Sequence, residues 1–178
     1  WIMNLSDRIF IERYLSLADL GVYSLAYKMS SIPLLLISSV IIAYKPIFFN
    51  ICKSYDSITG KKTIYRYNNI FIITIIFIVF VFSLFAREII YIFFSELYIK
   101  AYIVMPFILV ANLFIGLDSL VALFFEQSKK MKQTMYLAFI AAILNLILNY
   151  LLIPKFGIIG AALSTTVTFF VYFVLKYF

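Results

Sequence analysis

The chain has 178 residues, of which 65% are hydrophobic, 20% aromatic and 13% charged, and its mean hydropathy is +1.07. A soluble domain would be about half apolar and about a quarter charged, so this composition excludes an ordinary soluble protein and indicates a polytopic membrane protein. The net charge of +7 is expected in loops or in a buried cavity, because charge facing lipid is costly.

Five segments are apolar over the roughly 20 residues that a transmembrane helix needs. They lie at residues 21–49, 70–94, 103–125, 135–153 and 158–175. Residues 1–15 are predicted to end a further helix, and because the chain begins within hydrophobic sequence we expect it to lack its N-terminal part. The predicted fold is an all-α polytopic membrane protein of about six transmembrane helices, the first one truncated, in a single bundle over residues 1–178.

The charges between these segments predict a topology. The connection at residues 52–69 carries four basic residues and one acid, the connection at 126–132 carries three lysines, and Lys176 follows the last segment. The positive-inside rule assigns basic connections to the cytoplasm, whereas charges in the alternate connections nearly cancel. We therefore expect a cytoplasmic C-terminus and a first helix that ends outside. Residues 52–69 would form either a short interfacial helix or a solvated loop.

Small and polar residues recur along the last two segments. Asn145 and Asn149 share one face of a helix, and Gly157, Ala161 and Thr165 share one face of the next. Such faces let helix backbones approach closely and form interhelical hydrogen bonds. The turn between the two segments predicts an antiparallel hairpin, in which the amides would serve either helix packing or cavity lining.

The segment at residues 21–49 carries a polar stripe. It consists of Ser24, Lys28, Ser31, Ser38 and Lys45, which share one side of a helix because their spacing is close to a seven-residue repeat. Lys28 lies in the outer half, where an ammonium marks a substrate pathway or an ion pair unless it snorkels to the interface. Lys45 is a candidate for substrate contact or, near the cytoplasmic end, for an interface anchor.

Two acidic residues lie within apolar sequence. Asp118 is close to Asn112, which would itself serve helix packing or cavity lining. A carboxylate at such a position needs a partner, so we expect either an ion pair with a lysine or arginine of a neighbouring helix or a proton-coupling role. Asp7 and Arg8 lie in the truncated helix, where they would form an outer-surface charge pair unless Asp7 is a coupling group.

The sequence offers no catalytic motif. It contains no histidine, the commonest metal ligand and proton shuttle, and its single cysteine, Cys52, excludes an internal disulfide. A membrane polymerase or ligase would need catalytic charge in a large outer loop, and a channel would need a filter-like motif; neither is present. We expect no enzyme activity, no cofactor, no metal site and no nucleic-acid partner.

Two longer motifs indicate a family. Residues 6–28 contain an Asp-Arg pair followed by G-x-Y-S-x-A-Y-K, and residues 145–162 read N-L-x-L-N-x-x-L-I-P-x-x-G-x-x-G-A-A. Both resemble bacterial polysaccharide repeat-unit flippases of the O-antigen and capsule type, in the multidrug/oligosaccharidyl-lipid/polysaccharide exporter superfamily. They lie near the two ends of the chain in the expected order, so the resemblance extends over nearly the whole chain.

The resemblance implies the C-terminal one of two six-helix bundles in an exporter similar to the multidrug-and-toxin-extrusion proteins. Such proteins flip an undecaprenyl-diphosphate-linked oligosaccharide to the outer leaflet of the bacterial cytoplasmic membrane by alternating access. Membrane lipid and polysaccharide-assembly proteins would be further partners. By motif position, Arg8 and Lys28 would contact a diphosphate or acidic sugar, and Asp7 would orient Arg8. The roles of Lys45 and Asp118 rest on the residues alone.

Two related transporter classes stay open. A multidrug or cation antiporter of the same superfamily would favour acidic cavity residues, and a peptidoglycan-precursor lipid flippase would differ little in sequence. Cations outnumber acids within the apolar segments here, which favours an anionic lipid substrate.

Overall fold

A computed structural model of the chain describes residues 2–52 and 58–178. Over these residues it contains six α-helices, one short 3-10 helix and no strand. Four of the helices are long and apolar enough to cross a membrane by length and composition. The all-α prediction is therefore confirmed, as is the presence of helices compatible with membrane insertion.

The first two helices are separated by a capped turn. Helix α1 spans Ile2–Tyr14 and helix α2 spans Leu17–Cys52. The Ser16 hydroxyl accepts a hydrogen bond from the Asp19 backbone N–H at 3.1 Å, and the Asp19 carboxylate accepts from the Ser16 backbone N–H at 3.3 Å. This reciprocal pair is a capping box, which starts α2 by satisfying backbone donors that have no partner within the helix.

The next part of the chain departs from its predicted boundaries. Helix α3 spans Ile58–Leu84, so most of the predicted loop or interfacial helix at residues 52–69 belongs to one continuous helix, while residues 53–57 lie outside the described part. The predicted segment at 70–94 divides at Phe85, after which helix α4 spans Ala86–Phe93. Ala86 and Ile90 of α4 are buried, whereas Arg87 and Glu88 are exposed. Helix α4 is therefore an amphipathic helix rather than the end of a membrane-length one.

The second half of the chain contains two long helices joined by a tight turn. After the 3-10 helix Glu96–Tyr98, helix α5 spans Ala101–Gln127 and helix α6 spans Met131–Tyr177. Lys129 has a positive φ of 56° in the turn between them. The Lys130 backbone N–H donates to the Phe125 carbonyl at 2.9 Å, which satisfies one of the last carbonyls of α5.

The chain reverses direction at Gly157 within helix α6, in agreement with the predicted hairpin. Gly157 has a φ of 59° and a ψ of −139°, a backbone conformation that glycine adopts far more readily than other residues. The chain folds back so closely that a Cβ at Gly160 would lie 2.3 Å from the Leu152 carbonyl oxygen. The first arm of α6, residues 131–156, thus packs antiparallel to its second arm, residues 158–177.

The core lies around α5 and α6. Helix α5 contacts α2, α3, α4 and α6, and α1 packs mainly against α6. Many side chains that point away from this core are large and apolar, among them Ile73, Phe77 and Phe80 of α3 and Phe139 and Ile147 of α6. Exposed apolar surface of this extent is typical of a protein that faces lipid.

The charged residues are divided between the two ends of the helices. The end formed by the last turns of α2 and α5, the first turns of α3 and α6, and the C-terminus is called the basic end below. Its basic residues are Lys45, Lys61, Lys62, Arg66, Lys129, Lys130, Lys132 and Lys176. At the opposite end, Arg87, Lys100 and Lys155 accompany Asp19, Glu88 and Glu96. The described connections group as the charge pattern predicted, and their orientation in a membrane stays a prediction.

Candidate functional site

A buried carboxylate lies at the junction of α1, α2 and both arms of α6. Asp7 of α1 is fully buried. It accepts hydrogen bonds from the Tyr23 hydroxyl at 2.7 Å, the Asn149 amide at 2.6 Å and the Thr165 hydroxyl at 2.7 Å. All three donors are neutral, and no ion pair with a basic side chain is found for Asp7 within the described residues. The site therefore holds a carboxylate in a polar but uncharged environment.

Further polar groups extend this cluster. The Ser6 hydroxyl donates to the side-chain oxygen Oδ1 of Asn145 at 2.8 Å, and the Asn149 side-chain amide donates to the same oxygen at 3.2 Å. The Ser164 hydroxyl donates to Oδ1 of Asn149. Asn145, Asn149 and Ser164 are fully buried. The hairpin in α6 makes these contacts possible, since Asn149 and Ser164 are 15 residues apart and lie on opposite arms. The side-chain amides of Asn145 and Asn149 thus both face the interior of the bundle.

Arg8 is held apart from its neighbour Asp7. Its guanidinium carbon lies 5.8 Å from the centre of the Tyr27 ring, a cation–π distance. Its buried Nε has no hydrogen-bond partner among the described residues. Asp7 points into the bundle while Arg8 lies against α2, so the structure does not join them as a surface charge pair.

The predicted polar stripe lies on the outer side of α2. Lys28 and Ser38 are exposed and Ser24 and Ser31 are half-buried. The Ser31 and Ser38 hydroxyls donate to backbone carbonyls of their own helix at 2.6 and 2.8 Å. Lys28 and Ser24 border a surface cavity of about 270 Å³ that Phe94 and Tyr98 also line. This face of α2 is therefore not covered by the described bundle around Lys28.

Lys45, the last residue of that stripe, has a different environment. Its Nζ lies 2.8 Å from a carboxylate oxygen of Glu126 on α5, and both side chains are close to half exposed. It also lies 6.0 Å from the centre of the Phe49 ring. Lys45 is an ion-paired residue of the basic end, which agrees with an interface anchor and does not itself indicate substrate contact.

Asp118 has the basic partner that the sequence led us to expect. The Nζ of Lys176 lies 2.9 and 3.1 Å from its two carboxylate oxygens, and the Lys176 side chain is almost completely buried. Lys176 also lies within 6 Å of the centres of the Phe125 and Tyr172 rings. This ion pair joins α5 to the second arm of α6.

Asn112 also makes a contact between helices. Its side-chain amide donates to the Ser30 carbonyl at 2.6 Å and is buried between α5 and α2. Ser30 lies three residues before Pro33, in the turn where a proline disturbs helical hydrogen bonding. Asn112 therefore acts in helix packing at this position.

Sequence reasoning missed Tyr23 as a partner of Asp7, and it recognised Thr165 only as part of a small helix face. The two donors are 16 and 158 residues from Asp7, so no local spacing could have joined them. The sequence predicts Lys176 only as a basic residue that flanks the last segment. The available signal is its position in the last turn of an apolar helix, because such a lysine either snorkels or pairs with a buried acid.

The fold and site together define a class: an all-helical chain with membrane-length apolar helices that enclose a carboxyl group hydrogen-bonded to uncharged side chains. Within residues 2–52 and 58–178, no group of three or more cysteine, aspartate or glutamate side chains is arranged to hold a metal ion. No protein-family model, curated protein or solved structure matches the chain.

Proposed function

We propose that the chain is the C-terminal bundle of a larger transporter that flips an undecaprenyl-diphosphate-linked oligosaccharide from the cytoplasmic to the outer leaflet. The proposal places it in a bacterial cytoplasmic membrane with six transmembrane segments, counting α1 and the two arms of α6 separately, and with a cytoplasmic C-terminus. The observation that carries the proposal is the uncovered polar face of α2 around Lys28.

Lys28 is an exposed cation on a 36-residue apolar helix, 11 positions after its first residue. At the helical rise per residue, it lies roughly 17 Å from the start of α2. An ammonium that faces lipid hydrocarbon is costly, so we propose that this face is covered by water, substrate or the second half of the transporter. A central cavity between two bundles provides such a cover.

The charge of this face suits the proposed substrate. A diphosphate head group must be carried through a region of low dielectric constant, where Coulomb attraction is several-fold stronger than in water. Lys28 would supply fixed positive charge on α2, and Arg8 of α1 would add a second cation against the same helix. The resemblance of residues 6–28 to the flippase motif supports the same two residues.

Asp7 is proposed as the coupling group of the transport cycle. A buried carboxylate with neutral partners can take up a proton in one state of the bundle and release it in another, since only burial and hydrogen bonds decide its charge. Asp118 would then be structural, because Lys176 already neutralises it.

A second candidate is the multidrug or cation antiporter of the same superfamily, and the buried acid Asp7 favours it. The two functions differ in the charge that the pathway must attract. An anionic lipid substrate requires the cation at Lys28, whereas a cationic drug would be repelled by it.

Charge variants of Lys28 test the proposal. In the full-length protein, Lys28→Arg is expected to retain part of the flipping activity, because the charge persists although the guanidinium differs in geometry. Lys28→Ala should lose most activity and Lys28→Glu should lose more, because the diphosphate would then meet no charge or a repulsive one. Activity is measured as translocation of lipid-linked oligosaccharide in proteoliposomes or as surface-polysaccharide display, at equal membrane expression.

Lys155→Ala is the matched control, since Lys155 is exposed in the turn of α6 and carries no proposed role. It should flip at the wild-type rate. Wild-type flipping by both Lys28→Ala and Lys28→Glu would contradict the proposal, and faster transport of a cationic drug by Lys28→Glu would support the antiporter instead.

A further inference from the structure

The basic end contains a cavity that the transport proposal does not use. It has a volume of about 610 Å³ and lies between the end of α5, the start of α6 and the end of the second arm of α6. Lys130, Lys176, Gln133 and Ser128 provide its polar lining, and Phe124, Phe125, Tyr136 and Tyr177 provide aromatic walls. The cavity is open to the surface, so a ligand can enter it.

The electrostatics of this cavity favour an anion. Lys176 is neutralised by Asp118, and Glu126 is occupied by Lys45, so the nearest acids leave little negative charge for Lys130 to pair with. Lys129 and Lys132 are exposed beside it, and the first backbone N–H groups of α6 begin at Met131. A helix N-terminus adds partial positive charge to that of the lysines.

An apolar groove continues from the same place. A second cavity of about 340 Å³ shares Phe124, Phe125, Lys176 and Tyr177 with the first and extends along α5 and α3. Its walls are mainly apolar and include Ile72, Leu117, Leu120, Val121 and Phe173. A cationic cavity at the end of the helices therefore opens into an apolar groove that runs along them.

We infer that these two cavities form a binding site for one anionic phospholipid, with the phosphodiester head group beside Lys130 and an acyl chain in the groove. Head-group attraction to the basic cavity and burial of the chain both contribute to such binding. The lipid would connect α3, α5 and the end of α6, none of which contributes Lys28 or Asp7. The inference therefore stands apart from the proposed transport function.

Lipid binding to the purified chain tests the site. The protein is stripped of lipid in detergent and titrated with phosphatidylglycerol or with phosphatidylcholine of the same acyl chains, and bound lipid is counted by native mass spectrometry. Phosphatidylglycerol should bind more tightly, because its head group keeps a net negative charge. Equal affinity for the two lipids would overturn the inference.

Variants locate the site. Lys130→Gln should weaken phosphatidylglycerol binding about fivefold, the change expected for one basic residue near an anionic head group. Lys155→Gln, which alters an exposed lysine at the opposite end, should leave the affinity unchanged. An unchanged affinity in Lys130→Gln, or an equal loss in both variants, would place the lipid elsewhere.

Inorganic phosphate and glycerol 1-phosphate separate a lipid site from a simple anion site. Neither has an acyl chain for the groove, so neither should displace bound phosphatidylglycerol at matched concentration. Displacement by either compound would show that the cavity holds an isolated phosphate group and would overturn the assignment to a lipid.

Discussion

At the scale of single residues, the two acids that lie between the helices, Asp7 and Asp118, have opposite environments. Asp118 faces a buried ammonium, whereas Asp7 faces two hydroxyls and an amide. A buried acid that is paired with a base keeps its charge, because the attraction of the partner offsets the free-energy cost of desolvation. Removing either partner leaves the other charge buried and uncompensated. An unpaired buried acid can change its charge within the same hydrogen-bond network. This contrast is the structural support for the proposed coupling role of Asp7 and for a structural role of Asp118.

The sequence predicts that these two acids need partners, but it does not reliably predict which residues the partners are. An acid in an apolar segment requires a counter-charge, which is why the sequence predicts a basic partner for Asp118; the structure shows that this partner is Lys176. The same rule led to the pairing of Asp7 with Arg8, which the structure separates. Adjacent residues on a helix point in different directions, so proximity in sequence was misleading there.

Replacement of Asp7 tests the coupling assignment. Asp7→Asn keeps the size of the side chain and an oxygen for the Tyr23 and Thr165 hydroxyls, but it cannot exchange a proton. Flipping in the full-length protein should therefore fall to background at equal membrane expression. Thermal stability should fall moderately, because the new NH2 group would face the Asn149 amide that donates to Asp7 in the wild type. The initial flipping rate is measured as a function of an imposed pH gradient.

Thr165→Val is the control, because it removes one hydrogen bond to the carboxylate and leaves the carboxylate able to titrate. It should slow transport without abolishing its dependence on the gradient. A wild-type, gradient-dependent rate in Asp7→Asn would exclude Asp7 as the coupling group.

At the scale of helices, hydropathy located the long apolar segments but not all of their ends. The first turns of α3, which begins at Ile58, contain the charged residues Lys61, Lys62 and Arg66. A helix can include such polar sequence because its backbone hydrogen bonds do not require apolar side chains. No proline or glycine lies near the break at Phe85, so the sequence contains no local signal that predicts it. The reversal at Gly157 was predictable, since Pro154 and Gly157 mark it in the sequence.

Substitution of Gly157 tests the importance of that reversal. Gly157→Ala places a Cβ on a residue with a φ of 59° and a ψ of −139°, and the free energy of unfolding should fall by about 1–3 kcal/mol. Stability is measured by thermal or denaturant unfolding of the purified chain in detergent micelles.

Gly21→Ala is the matched comparison, because its Cβ would lie 3.6 Å from the nearest Tyr98 carbon, an ordinary contact distance, within helical backbone. This change should be neutral or should stabilise the protein by up to about 1 kcal/mol, the helix-propensity difference between the two residues. Equal stability of Gly157→Ala and Gly21→Ala would show that the hairpin tolerates an ordinary backbone conformation at this turn.

At the scale of the whole molecule, the arrangement of charge is the property that the sequence predicted most directly. Antiparallel helices bring every second connection to the same end, so the basic connections had to meet once the helices alternated. The buried cluster around Asp7 could not be predicted in the same way. It requires α1, α2 and the two arms of α6 to converge, and only tertiary packing decides which faces meet.

The orientation of the whole bundle follows from the charge of its ends and gives the final prediction. Lys62, Lys130 and Glu96 are exposed, the two lysines at the basic end and the glutamate at the opposite one. After Cys52→Ser removes the native thiol, the single variants Lys62→Cys and Lys130→Cys should react with a membrane-impermeant maleimide only from the cytoplasmic side. Glu96→Cys should react only from outside, because basic ends remain in the cytoplasm. Each variant is labelled in intact cells and again after permeabilisation. Labelling of all three from one side would contradict the alternation, and the reverse pattern would invert the bundle and the direction of the proposed transport.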